Sequence, residues 1–327
     1  MDLYIDKENT LSFIDSREDE LYIDCEKLLK KQLDVKFNFP KEDLQADPKL
    51  MKWFQKNFTQ GVSKSMIYFD TGFPEKPLKP ESTNTFNIDQ LSSVYLLDDK
   101  DVPIFKVNGN IMIGGVGEEI NTLQNLFFNQ RDYLFDKTWK IGSNSFQKWS
   151  DLEPFSLPLT DILIVDPYVL CSQADCHNNL LPFLKSLVKC TKAKIDIVIY
   201  TNKEKCIDYN IIAPVLKTTV KNITGTNPNL TIVTYTDRRG VPSRGEHDRT
   251  ILMNYKRIKS GDTFNYFKSD GSIQTKGREL QYLSLARREN HELAKELIND
   301  LQGNVDFFKR NHTNINGDKK SNFLNFN

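Results

Sequence analysis

Three apolar runs govern what this chain can fold into. "DILIV" (Asp161–Val165), "KIDIVIYTN" (Lys194–Asn202) and "NLTIVTYTD" (Asn229–Asp237) carry continuous or near-continuous apolar residues. Strands with that pattern are buried on both faces, which is the situation of a parallel sheet covered on each side. Between the first two runs lies "NNLLPFLKSLVKC", with Leu180, Leu184, Leu187 and Val188 on one helical face. Between the second and third lies "CIDYNIIAPVLKTTVKNI", with Ile207, Ile211, Ile212, Val215 and Leu216 at helical spacing. Strand, helix, strand, helix, strand calls for an α/β fold with right-handed crossovers. "HDRTILMNY" follows without an intervening helix and is expected to be antiparallel. "DTFNYF" reads as a further short strand, and "GRELQYLSLARRENHELAKELINDLQ" as a long closing helix.

The proline-bearing connector "KWSDLEPFSLPLT" places a domain boundary near residue 150. The expected division is a smaller mixed α/β domain over 1–150, an α/β domain over 151–302 and a polar tail over 303–327. Within the first part, "SREDELYIDCEKLLKKQL" has Leu21, Cys25, Leu28 and Leu29 on one helical face. "DPKLMKWFQKNF" reads as a second helix, with Asp47 as N-cap and Pro48 just inside. "SVYLLDD", "VPIFKVNG" and "NIMIGG" read as strands, followed by the helix "GEEINTLQNLFF" with Glu118 and Glu119 in its first turn. The intervening Gly114–Gly117 stretch lacks the Lys-Ser/Thr of a P-loop and the spacing of a dinucleotide fingerprint. It reads as a tight strand-to-helix turn.

Lys+Arg and Asp+Glu balance at 44 each, so net charge selects no partner. Its distribution is less even. Residues 1–150 hold 19 basic and 24 acidic side chains, and the remainder holds 25 and 20. Between Asp237 and Arg288 there are 12 basic against 6 acidic, an excess suited to a phosphate or a polyanion. Five irregularly spaced cysteines in a chain of 327 residues argue against a disulfide framework. "MDLYIDKENT" has no signal-peptide pattern, and no apolar run is long enough to span a bilayer. The expectation is a reduced, cytoplasmic protein with no transmembrane segment.

The candidate chemistry lies in "GEHDRTILMNY", written H-x-R-x-x-x-x-N with His247, Arg249 and Asn254. An imidazole is a usable nucleophile or proton carrier near neutral pH. A fixed cation stabilises charge on a transferring phosphoryl group. Along a strand, His247 and Arg249 share a face, and Asn254 falls on the other by parity. This pattern resembles H-x-K-x-x-x-x-D, the signature of the phospholipase D superfamily. The resemblance is closer to the phospholipase-D-like C-terminal domain of microtubule-interacting-and-trafficking (MIT) proteins. Its marks here are His247-Asp248-Arg249, then Gly261, then Asn265-Tyr266-Phe267, with Asp166-Pro167-Tyr168 after the first strand of the domain. It covers roughly residues 155–300.

That resemblance implies an α/β/α sandwich of phospholipase D type. It assigns His247, Arg249 and Asn254 to the catalytic positions, with Asp166, Tyr168 and Asp248 around them. Arginine stands for the family's lysine and asparagine for its aspartate, and the family uses two histidines per active centre. His177, His291 and His312 begin no matching motif. The expected function is therefore a catalytically degenerate module binding phosphate-bearing partners, nucleic acid foremost. The alternatives are a homodimeric, metal-independent phosphodiesterase or nuclease with His247 as nucleophile, and a protein-interaction subunit of a larger, defence-type assembly. Arg238, Arg239, Arg244, Lys256 and Arg257 are the candidate phosphate-binding residues. Cys171, Cys176 and His177 form C-x4-C-H without a second ligand pair downstream, so no metal and no other cofactor is expected.

Overall fold

The computed structural model describes residues 1–59, 61, 63–72, 91–103, 113–127, 136–157, 159–236, 249–274, 278–311 and 314–326. They form two compact units. The first comprises the described residues up to Phe127 together with Ser284–Glu292, and the second the rest from Asp136 onward.

The first unit is a parallel sheet of order β3-β2-β1-β4-β5, built from β1 (Asp2–Ile5), β2 (Asp34–Phe37), β3 (Ile67–Tyr68), β4 (Val94–Leu96) and β5 (Ile113–Gly114). Its helices are α1 (Lys7–Asp15), α2 (Tyr22–Lys31), α3 (Lys41–Ala46), α4 (Pro48–Phe58) and α5 (Glu119–Phe127). Asp47 caps α4, its carboxylate accepting from the N–H groups of Lys49 and Leu50, with Pro48 in the first turn where no N–H is needed. Cys25, Leu28 and Leu29 are buried on α2, whereas Leu21 precedes that helix. Phe13 stacks on Tyr22 and meets the edge of Trp53 in the core. Of the expected strand "VPIFKVNG", Val102 and Pro103 are helical, and the rest lies outside the described residues.

The second unit is a mixed sheet of order β13-β9-β8-β7-β10-β11-β12-β6. β7 (Asp161–Val165), β8 (Asp196–Asn202) and β9 (Asn229–Tyr235) are parallel and buried over almost their whole length. β10 (Arg249–Met253) runs antiparallel to both β7 and β11 (Lys256–Ser260). The helix Tyr209–Thr224 is capped by Asp208 and ends at Gly225, whose φ of 77° is the left-handed conformation a C′ glycine provides. Ile212 and Leu216 face the core as expected, but Ile211 is half exposed. The segment Gln173–Leu187 is helical with a π-helical turn at Cys176–Leu180, and Leu180, Leu184, Leu187 and Val188 are buried.

Three expectations are corrected. β6 (Lys137–Lys140) pairs with β12 (Glu279–Ser284), so the second unit includes Asp136–Ser150 ahead of the proline-bearing connector. β12 occupies the start of what reads as one long helix. Leu280, Tyr282 and Ser284 are buried in alternation, the period of a strand, and the helix begins only at Arg288. That helix continues to Asn311, and the residues beyond it are not a tail. β13 (Ile315–Gly317) pairs with β9, and Phe323 and Leu324 are buried. Asn322 donates to Asp161 from its backbone at 3.1 Å and from its side chain at 3.0 Å. No described helix is long and apolar enough to cross a membrane.

Asn322→Ala removes a buried hydrogen bond to a carboxylate and should cost roughly 2 kcal/mol. Urea unfolding followed by tryptophan fluorescence measures this. An unchanged midpoint would mean that the C-terminal segment contributes nothing through Asp161.

Candidate functional site

β7 leaves the sheet at its carboxyl end between β8 and β10, the position where strand order reverses. In open α/β sheets such a crevice is the usual place for a ligand. The antiparallel register sets Thr250 of β10 opposite Val165, so Arg249 falls beside Asp166. On the other side of β10, Arg249 pairs with Ser260.

Asp166 is fully buried. Its Oδ1 accepts from the N–H of Tyr168, and its Oδ2 accepts from the Thr263 hydroxyl and the Phe264 N–H, each at 2.8 Å. Burial raises its pKa, and these hydrogen bonds and the charge of Arg249 act in the opposite direction. Arg249 is 9% exposed, and its guanidinium carbon lies 5.9 Å from the centre of the Tyr168 ring. Tyr168 itself is 40% exposed. Its carbonyl accepts from the Asn265 side-chain amide at 2.8 Å.

The segment Asp262–Phe267, expected as a strand, is a loop instead. Its backbone is taken up by side chains. Thr263 and Phe264 bind Asp166, and the Asn179 amide both accepts from the Phe267 N–H and donates to its carbonyl. Trp149 donates to Asn179, and its ring stacks on Tyr266. Thr263 and Asn265 therefore belong to the site; Asn265 lies within the Asn-Tyr-Phe marks of the resemblance, whereas Thr263 carries no mark in the sequence.

Arg249, Asp166 and Tyr168 lie close together. Asn254 does not join them. It lies five residues along the chain from Arg249, about 16 Å at the rise of a strand. Its Oδ1 accepts from the backbone N–H groups of Thr160 and Asp161, and its Nδ2 donates to the Thr160 hydroxyl. It is a fully buried pin for the amino end of β7. Lys256 and Arg257 lie on β11, which runs back along β10. They are buried, next to Asn254 in the chain, and Arg257 pairs with Leu252. Lys256 lies over the Tyr282 ring, its ammonium 5.3 Å from the ring centre. His247, Asp248, Arg238, Arg239 and Arg244 lie outside the described residues.

The Gly114–Gly117 turn binds its own chain. The N–H groups of Gly115, Val116 and Gly117 donate to the carboxylates of Glu118, Asp99 and Glu119. That leaves no such cradle for an outside phosphate. Burial pushes the Cys171 thiol up to about 11 and the Cys176 thiol up to about 12. Among the described residues, one group of three acidic side chains could share an ion: Asp6, Asp98 and Asp101, with carboxylate oxygens within 4.8 Å of one another. Asp6 follows β1 and Asp98 follows β4, the neighbouring strands at which the order of the first sheet reverses. Burial raises the pKa of Asp6, and the charges of Asp98 and Asp101 add to the rise. Carboxylates so placed suit a hard divalent cation.

Two variants separate the ends of β10. Asn254→Ala strands two buried N–H groups and should cost about 3 kcal/mol, at roughly 1–3 kcal/mol per group. For Arg249→Met the expectation is pH-dependent. Asp166 is raised in the folded state, so the folded chain holds that proton more tightly than the unfolded chain. Stability then declines as pH rises from the ordinary carboxylate range through the folded pKa. Losing Arg249 raises Asp166 further and extends that decline upward. Urea titrations should show a larger deficit of the variant against wild type near neutral pH than in mild acid. Equal deficits at both would remove the coupling.

No family model matches the chain, and no curated protein matches it. Among solved structures it is similar to TrmBL2, an archaeal chromatin protein described as showing a novel mode of DNA binding. The sequences are 10% identical, the TM-score is 0.27, and the match covers 59% of this chain and 58% of that one. A TM-score of that size does not establish a shared fold.

Proposed function

We propose that the second unit is a phospholipase-D-like module that binds phosphate-bearing partners, with nucleic acid as the partner class, and that its motif is catalytically degenerate. The observation that carries the proposal is Arg249. It is a cation at the carboxyl edge of the parallel strands, beside the buried Asp166 and the exposed ring of Tyr168. Fixed cations at such an edge suit a phosphate better than mobile surface lysines do. The sequence adds Arg238, Arg239, Arg244 and His247 directly ahead of β10. Degeneracy follows from the chemistry of the motif. Asn254 holds the strand, leaving His247 and Arg249 as the motif residues for phosphate chemistry.

The test is binding of labelled single- and double-stranded DNA and RNA to the full chain across a salt series, with EDTA present. Affinity should fall steeply with salt. Arg249→Gln should weaken binding about tenfold and flatten the salt slope by about one unit. Affinity that is absent or indifferent to salt would overturn the proposal. Cleavage by wild type that is lost in His247→Ala would replace degeneracy with a metal-independent phosphodiesterase.

A further inference from the structure

We infer that the unit recognised at this edge is one nucleotide of a single strand, its phosphate at Arg249 and its unstacked base laid on Tyr168. The inference rests on the phosphate-binding reading of Arg249 and adds the chemical class of the ligand. Three features lie together. Tyr168 is 40% exposed, and its ring lies next to the guanidinium of Arg249. The backbone beneath that ring is held on both sides, the N–H by Asp166 and the carbonyl by Asn265. An aromatic face on a fixed backbone loses little freedom when a flat partner stacks on it.

The third feature is Asn265. It is 6% exposed, its amide nitrogen is engaged by Tyr168, and its buried Oδ1 has no hydrogen-bond partner among the described residues. A buried acceptor left without a donor is costly, and an N–H or O–H from a ligand relieves that cost. A nucleotide offers all three complements: a phosphate for the cation, a flat π-system for the ring, and a base amine or sugar hydroxyl for the amide oxygen. A lipid headgroup or inorganic phosphate supplies the first without the second. A duplex hides its base faces in the stack, so the strand must be single.

The experiment compares four probes on the full chain: oligothymidylate, an abasic sugar–phosphate strand of equal length, a blunt duplex and phosphatidylserine vesicles. Stacking of one base predicts oligothymidylate binding about tenfold tighter than the abasic strand. Tyr168→Ala should lose that margin, weakening oligothymidylate binding more than abasic binding, while Tyr168→Trp keeps it. Circular dichroism melts of each variant establish that the fold is retained. Equal affinity for the two strands, or an equal loss on both in Tyr168→Ala, would overturn the inference. If Arg249→Gln still weakens both strands, the phosphate reading stands without it. Binding to vesicles alone would overturn the single-strand inference and redirect the phosphate reading to lipid. If no probe binds, both readings fall together.

Discussion

One buried carboxylate organises the candidate site. Asp166 has no contact with solvent, and a charge in that position is tolerable only when hydrogen bonds and an opposite charge replace water. Its partners come from three separate pieces of chain. Tyr168 is two residues on, Thr263 and Phe264 lie in the loop after β11, and Arg249 opens β10. Satisfying Asp166 therefore fixes the exit of β7, the course of the loop and the head of β10 at once. The arginine and the tyrosine are positioned by interactions that exist before any ligand arrives, which is the condition for a site that does not have to order itself on binding.

The other end of β7 is held as firmly and by different chemistry. Asn254, Thr160, Asp161 and Asn322 form a buried polar network in which backbone N–H groups find side-chain acceptors. A strand pinned at both ends cannot slip in register, and a slip of one residue would turn every apolar side chain of β7 to the wrong face. The same network ties down the C-terminal segment, which is polar enough to look disordered by composition. Asn254 thus contributes to the site at a distance, by fixing the strand that carries Asp166.

Charge counted along the chain is not charge presented to a partner. Lys256 and Arg257 belong to the basic excess of the second half, yet both are buried in β11, and Arg249 is itself only 9% exposed. The carboxylates around Gly114–Gly117 are likewise spent on the turn's own amides. At the edge of the second sheet the buried Arg249 lies beside the exposed Tyr168, and Arg278 is ion-paired with Asp262 in the adjoining loop.

By itself the sequence determined the central layer of the second unit. β7, β8 and β9 are legible because continuous apolar runs and helices of clear period are local signals. The N-cap at Asp47 and the meeting of Asp166, Tyr168 and Arg249 were legible for similar reasons, since motif residues at strand ends converge once the strands pair. Tertiary structure decided the rest. β1 and β2 have four residues each and β3 two, too short for any period to show, so the parallel sheet of the first unit emerges only from pairing. β12 alternates over six residues and then runs into helical sequence, which masks its period until β6 and β11 flank it. The roles of Asn254, Asn179 and Asn322 depend on partners tens of residues away. A neutral amide gives no sign in the sequence of which backbone it will satisfy, because that choice is made by the packing that brings the two together.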